Sequence, residues 1–519
     1  NGVMAANQWV AIDNEDAGED DEPEHYWYYF QANGKAYTNG DNSKVSLKTI
    51  NGKKYAFDDE GKMLYGWVDE GNAERLDNTS NDAVIKNNPT YYFGGEDDGA
   101  MTTGWLQIDV TYDDATNGDY KYVAAAFNDD EDQTRWFYFK SNGKMVKADD
   151  GNKTKDKTIN GKKYAFDVHG AMVAEWSLNE KKLGDGGLAS YSSVVAATTS
   201  DVISGKAGKK TDAHYTQAWR YYNSVEDGSR VSKGWFKVVS AELINSGKYD
   251  DDEDAWYYAD GNGKLYAGQF RTIKGKKYAF YNDGRMISGL KFILDNGNDN
   301  LTVAADDDPE NFDNEDDFLT NAANYYEPAG YKCYYFGGGE DGAMRTNKTT
   351  VTIDGENHNF YFEKSGGHKG AGVTGEKDNK LYQSGMLLAA DSDDKYIVVE
   401  KTTKNANGKE VIAYTKLNDA KTFLGATGVT AADAIGSKSG KQSVSVGNGS
   451  TKNAEDLTEA YSISYKGTVN GVKYEYILVN TSGKVIDSRS KSKDGNDYYY
   501  VTEKQPNGEN AIVAVYVED

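Results

Sequence analysis

Thr49-Ile50-Asn51-Gly52-Lys53-Lys54-Tyr55-Ala56-Phe57 returns as Thr158 to Phe166 and, with Lys274 in place of the asparagine, as Thr272 to Phe280. Three copies this close mark an internal repeat, and a period of about twenty residues implies stacked units in place of one globular core. In the first copy the phenylalanine is followed four residues later by Gly61, then by Met63 and Gly66-Trp67. A strand, a glycine turn and a second strand read as a hairpin. Alternate residues of a strand share a face, so Tyr55 and Phe57 are expected to face the core, with Lys54 and Ala56 outward.

Aligning the units on the step from the last aromatic residue to the turn glycine yields three types in fixed order. Type A is Trp27 to Phe30 with Gly34, type B is Lys54 to Phe57 with Gly61, and type C is Tyr91 to Phe93 with a longer step to Gly99. The order recurs as Trp136 to Phe139 with Gly143, Lys163 to Phe166 with Gly170, and Trp219 to Tyr222 with Gly228. It recurs again as Trp256 to Ala259 with Gly263, Lys277 to Phe280 with Gly284, and Tyr334 to Phe336 with Gly342. The expected fold is all-β, a β-solenoid of stacked hairpin repeats over 26–370, built as three blocks of three (27–108, 136–238 and 256–353). Residues 1–25, with Trp9 and an acidic run, read as a leader or cap. Phe360-Tyr361-Phe362 with Gly366 looks like a further type A unit. Residues 371–519 read as a divergent β region, either the array's end or a separate small domain. An atypical terminal unit is what a stacked array requires, because its last face has no neighbour to cover it.

The composition agrees with short strands and tight turns. Among 519 residues there are 40 tyrosines, 9 tryptophans and 56 glycines but 5 prolines, a balance that favours strands over long helices. A net charge of −25 opposes partnership with nucleic acid or an anionic membrane surface, because their phosphates would be repelled. Cys333 is the single cysteine, so no intrachain disulfide or cysteine-based zinc site can form. No apolar run is long enough to span a bilayer, and no signal peptide or wall-sorting motif is visible. Asn1-Gly2 is expected to be a processed or trimmed end. Between the units lie acidic insertions, Asp113 to Asp119, Asp129 to Asp132, Asp250 to Asp254 and Asp306 to Asp317, expected to be surface loops. Asp295 to Asn300 comes nearest to a calcium loop but lacks its spacing and closing glutamate; no metal ligand set and no cofactor are expected.

The aromatic residues exceed what a one-sided core needs. In type A strands Trp27 and Tyr29, Trp136 and Tyr138, and Trp256 and Tyr258 stand opposite the core pair. A second set of tryptophans follows the hairpins as Trp67, Trp105, Trp176 and Trp235. Stacking in order pairs Trp105 with Trp136, Trp235 with Trp256, Trp176 with Trp219, and Trp67 with Tyr92 as candidate aromatic clefts. Electron-rich ring faces attract quaternary ammonium groups and the polarised C–H faces of sugars alike. The plainer alternative is that these rings only seal the junctions between hairpins. In the third block the corresponding positions are Gly289-Leu290 and Arg345-Thr346, so clefts of this kind are expected in the first half of the chain.

With W-Y-Y-F, T-I-N-G-K-K-Y-A-F, G-K-M or G-A-M, and T-G-W, the units resemble the cell-wall-binding repeats of Gram-positive surface proteins, a family that includes choline-binding, glucan-binding and clostridial toxin repeats. The resemblance covers about residues 26–370. It implies a β-solenoid with sites between neighbouring repeats, no catalysis, and a secreted or cell-surface location. Choline-type sites of that family use two tryptophans and another aromatic ring, which Trp105/Trp136 and Trp235/Trp256 match in type, while the acidic insertions depart from the family's compact spacing. Against an enzyme, His25, His169, His214, His358 and His368 are scattered, and no nucleophile elbow, zincin helix or phosphate loop is present. Three roles follow: a carbohydrate-binding surface module for an α-glucan-like polysaccharide, wall attachment through choline or wall glycan, or a structural spacer or adhesin.

Overall fold

The structure, a computed structural model, describes residues 2–20, 22–76, 89–111, 132–149, 154–178, 210–242, 244–304, 312–429, 443–465, 467–506 and 508–519. The insertion residues 113–119, 129–131 and 306–311 lie outside the described residues. The chain divides into two compact units, residues 1–267 with 282–285, and residues 268–281 with 286–519. That division falls inside the expected 26–370 array.

The first unit is a succession of short hairpins. Its strands are β1 (Gln8–Asp13), β2 (His25–Phe30), β3 (Lys48–Ile50), β4 (Lys53–Tyr55), β5 (Trp67–Val68), β6 (Tyr91–Tyr92), β7 (Gly104–Thr111), β8 (Asp132–Phe139), β9 (Lys155–Ile159), β10 (Lys162–Phe166), β11 (Glu175–Leu178), β12 (Trp219–Tyr222), β13 (Gly234–Val239) and β14 (Asp254–Ala259). Among the described residues they pair in sequence order as two-stranded antiparallel sheets, β1 with β2 through β13 with β14. Residues 1–25, expected to be a leader or cap, thus supply β1, which lies against β2 with Trp9 opposite Tyr29.

The hairpin sits inside the opening stretch itself. Ile50 lies opposite Lys53, which leaves Asn51 and Gly52 as a two-residue turn with φ of +48° and +82°. Positive φ at both positions gives the turn whose twist matches the flanking strands. The expected hairpin around Gly61 is corrected accordingly: that turn carries the single bridge between Phe57 and Met63.

Each unit is tied to the one before it. The backbone N–H groups of Met63, Met101, Met145 and Met172 donate to the carbonyls of Trp27, Lys54, Thr90 and Trp136, each at 2.8 Å. The turn glycines follow from the same stacking. A Cβ placed on Gly99, Gly143, Gly170 or Gly228 would come within 2.3, 2.3, 2.6 or 2.3 Å of the sulfur of Met63, Met101, Met145 or Met172. The methionine of one unit fills the space that a side chain on the next unit's glycine would need. Both faces of the type B strand are consequently covered. Ala56 and Ala165 are as inaccessible as Phe57 and Phe166, which corrects the expected outward placing of Ala56.

The second unit opens with the third copy of the repeat, β15 (Gln269–Ile273) and β16 (Lys276–Phe280), in a five-stranded sheet with β17 (Leu290–Gly297), β18 (Asn300–Val303) and β19 (Lys332–Tyr335). Asp295 to Asn300 is the β17–β18 turn, in which Asp295 accepts the Gly297 N–H at 2.8 Å; the carboxylate closes a turn. A second five-stranded sheet holds β20 (Asn347–Ile353), β21 (Glu356–Phe362), β22 (Gly375–Lys377), β23 (Lys380–Gln383) and β24 (Met386–Leu387). Its β20–β21 turn is Asp354-Gly355 with φ of +49° and +78°. Thr352-Ile353-Asp354-Gly355 is therefore a fourth type B turn, not a type A unit, and Gly370, beneath Met344, takes the place expected of Gly366. The runs expected in 371–519 lie in strands Tyr396–Ala406, Lys409–Leu417, Val472–Asn480, Tyr498–Lys504 and Asn510–Glu518. One buried cluster runs from Leu290 and Phe292 through Phe360 to Val399 and Val479.

The fold is mostly β, and the all-β expectation needs correction for short helices in the insertions. Lys210–Ala218 forms α1, Ser246–Asp250 α2, Glu315–Asn321 α3 and Ala420–Thr427 α4. Asn245, Asn314 and Asp419 cap the last three through their side-chain oxygens, satisfying an orphan amide at each start. The acidic run at Glu315 to Asp317 occupies the first turn of α3, where negative charge suits the helix dipole.

Candidate functional site

The paired tryptophans share one hairpin; they do not bridge successive ones. Trp105 on β7 lies opposite Tyr138 on β8, and Trp136 stands two residues along, opposite Gln107. The Trp105 ring meets Trp136 edge-on at 6.2 Å, Tyr138 at 5.1 Å and Tyr164 of the following hairpin at 5.0 Å. All four rings are half-buried. Beneath them Phe137 and Phe139 are fully packed, as the strand alternation predicts. The first strand supplies one wall, the second two, and the type B hairpin the fourth.

The same arrangement recurs at the other type A hairpins. Trp9 meets Tyr29 at 5.2 Å and Tyr55 at 4.9 Å, with Trp27 packed against the same cluster. Trp235 meets Tyr258 at 5.1 Å and Trp256 at 6.3 Å, and Tyr258 stacks on Tyr266 at 5.1 Å. Trp9, Tyr55 and Tyr164 are the residues that sequence reasoning missed as wall-formers. A signal for Trp9 was present: Trp9-Val-Ala-Ile-Asp13 parallels Trp105-Leu-Gln-Ile-Asp109.

The type C set is different. Trp67 meets Tyr92 at 4.9 Å as paired, but Phe137 and Phe139 of the next hairpin cover it, and it is 4% exposed. Trp176 lies opposite Tyr221, while Trp219 lies opposite Leu178, so the expected Trp176–Trp219 pairing gives way to Trp176–Tyr221 at 5.1 Å. Trp176 is closed over by Tyr257 and Phe236 and donates its indole N–H to the Val239 carbonyl at 2.8 Å. Trp219 occupies the register of Trp136 but is 0% exposed, because α1 runs directly into β12 and lays Tyr215 against it. Trp67, Trp176 and Trp219 seal junctions, and the open rings are those of the type A hairpins.

Carboxylates border two of the open clefts. The Trp27 indole N–H donates to Asp97 Oδ1 at 3.0 Å, and His25 Nε2 shares that oxygen at 3.1 Å. The Trp27 hydrogen bond, then His25, holds the Asp97 carboxyl below its usual range. The Trp136 indole N–H donates to Glu226 Oε2 at 3.4 Å. Among the described residues no group of three or more metal-ligating side chains converges.

Of proteins with curated functions, Glucosyltransferase-S of Streptococcus mutans serotype c aligns at 24% identity over 300 residues, 51% of this chain and 16% of that protein. The repeats resemble those of cell-wall-binding proteins, and the alignment spans about one sixth of that relative's length. No family model matches this chain. Solved structures similar to this chain include CbpJ of Streptococcus pneumoniae (16% identity, 73% of this chain and 100% of that one, TM-score 0.25). Choline binding protein F of the same species, in the presence of a peptidoglycan analogue, matches at 19% identity over 68% and 95% of the two chains, TM-score 0.25. The modular autolysin LytC of that species, with a synthetic peptidoglycan ligand, matches at 16% identity over 78% and 57%, TM-score 0.30. At these TM-scores the chains do not superpose as wholes.

Proposed function

We propose that this chain is a non-catalytic, extracellular carbohydrate-binding module of a Gram-positive surface or secreted protein, in which a glucan-like polysaccharide lies on aromatic clefts between the repeats of a β-solenoid. The observation that carries the proposal is the contrast between equivalent positions. Trp9, Trp105 and Trp235 each meet further rings and stay half-exposed, whereas Trp67, Trp176 and Trp219 are sealed. Rings held partly open against the hydrophobic effect, at about 25 cal/mol for each Å² left in water, are explained by a ligand that covers them. Sugar C–H faces suit such walls, and the alignment to a protein named Glucosyltransferase-S supports a glucosyl polymer. Weak sites repeated along the chain gain avidity on a polymer. The site residues proposed are Trp9, Trp27, Tyr29, Trp105, Trp136, Tyr138, Tyr164, Trp235, Trp256 and Tyr258, with the buried Tyr55 backing Trp9.

One observation favours a second reading, wall attachment through choline. The carboxylates at Trp27 and Trp136 suit a quaternary ammonium group, which the ring faces also attract. Affinity electrophoresis through gels containing starch or dextran separates the two. Retardation by a glucan is expected; free migration in every glucan gel, together with elution from wall material by choline, overturns the glucan reading in favour of the second.

A further inference from the structure

The type C turns of the first two blocks place an acidic pair at equivalent positions, Asp97-Asp98 before Gly99 and Glu226-Asp227 before Gly228. Each pair is used in the same way. The second carboxylate engages a type B lysine, Asp98 with Lys53 at 3.7 Å and Asp227 with Lys162 at 3.6 Å. The first accepts the indole N–H of the type A tryptophan, Trp27 or Trp136. Asp97 and Glu226 are both exposed, so each carries its charge at the mouth of a cleft and not into a core. An indole edge that donates to a carboxylate also has its ring orientation fixed, which presents the face to the cleft. The recurrence matters: two independent turns, one reached after a long insertion, deliver a carboxylate to the same ring atom.

We infer that Asp97 and Glu226 set the charge selectivity of the clefts at Trp27 and Trp136, admitting neutral glycans and disfavouring glycans that carry carboxylate groups. The inference rests on the carbohydrate reading above and names the ligand class that reading leaves open. A ligand carboxylate held over the ring face would stand within several ångströms of the rim carboxylate. Two like charges about 7 Å apart in a water-like dielectric oppose binding by about threefold per cleft. Because the groups are exposed, the discrimination fades as salt shortens the screening length.

The test compares dextran with carboxymethyl-dextran in affinity gels, using the full chain, an Asp97→Asn/Glu226→Gln variant, and a Glu410→Gln/Asp456→Asn variant that removes the same charge elsewhere. Wild type is expected to be retarded by dextran and several-fold less by the carboxymethyl form at low salt. The cleft variant, whose amide oxygens can still accept the indole N–H, should raise its carboxymethyl-dextran retardation relative to its own dextran retardation, while the distant variant keeps the wild-type ratio. Equal gains by both variants would assign the discrimination to net charge and overturn the inference, as would equal wild-type retardation by both polymers. Free migration of the wild type in dextran and starch gels alike removes the carbohydrate reading itself, a result distinct from the other two. Thermal melts of all three proteins exclude a folding defect as the cause.

Discussion

Gly143 and Gly161 share a backbone conformation, φ of +82° and +80°, but not surroundings. A Cβ on Gly161 would meet nothing within 4 Å, while one on Gly143 would lie 2.3 Å from the Met101 sulfur and 2.7 Å from its Cγ. Substituting alanine at either position costs about 1–2 kcal/mol for placing a side chain in the left-handed region. That cost is common to both and cancels in the comparison. Gly143→Ala must in addition displace Met101, an overpacking cost of about 1–3 kcal/mol, held toward the lower end because a methionine can change rotamer. Gly143→Ala should therefore be less stable than Gly161→Ala by about 1–2 kcal/mol, read from urea unfolding midpoints at equal slope. Met101→Ala opens the space, so the double variant Met101→Ala/Gly143→Ala should show a favourable coupling of about 1 kcal/mol. Equal stabilities for the two glycine variants, or no coupling, would refute the stacking of each methionine on the next unit's turn.

Three other outcomes are expected. Trp67→Ala and Trp176→Ala should each destabilise by about 3–5 kcal/mol as buried aromatic truncations, whereas Trp136→Ala and Trp256→Ala should weaken ligand binding and leave the melting transition nearly in place; the reverse pattern in calorimetry and binding would invert the division into core and cleft. Lys274→Asn should stabilise by about 0.5–1 kcal/mol, since Lys274 holds φ of +49° in a turn that favours asparagine; a melting temperature unchanged or lowered would contradict this. Burial, then the carboxylates of Glu175 and Asp254, pushes the Tyr221 hydroxyl up to about 12, and burial first does the same for Tyr334. The folded chain holds these protons where the unfolded one, with tyrosine near 10, releases them. Their contribution to stability is thus present below pH 10 and lost from about pH 10 to 12. Tyrosinate absorbance should rise late and together with loss of near-ultraviolet dichroism; uniform titration near 10 with the fold intact would contradict the burial.

The repeat and its order were legible because Asn-Gly, the aromatic alternation and the Gly-x-Met step each answer to a local rule. What lay beyond the sequence was decided by neighbours. The register of Trp219 matches that of Trp136, yet one is sealed by a helix that enters from an insertion and the other is open. Trp67 lost its cleft to Phe137 and Phe139, which lie about 70 residues further on. Alternation gave Phe137 and Phe139 as core correctly but placed Ala56 outside, because one hairpin does not reveal that the next will cover its second face. Asn51-Gly52 carries a stronger two-residue turn signal than Gly61, and Asp354-Gly355 repeats it with aspartate in place of asparagine. Trp9 was obscured by the acidic run between β1 and β2, although its own strand repeats the β7 sequence.

The central claim is that the half-open type A rings hold ligand and the sealed type C rings do not, and one measurement tests it most directly. Calorimetric titration of a glucan oligosaccharide into the wild type, the Trp9→Ala/Trp105→Ala/Trp235→Ala variant and the Trp67→Ala variant compares the two sets at equivalent strand positions. Losing one wall of each cleft should weaken binding by about 1–2 kcal/mol, roughly 5- to 30-fold, while Trp67→Ala, in its folded fraction, should bind as wild type does. Binding by the triple variant that matches the wild type would contradict the account.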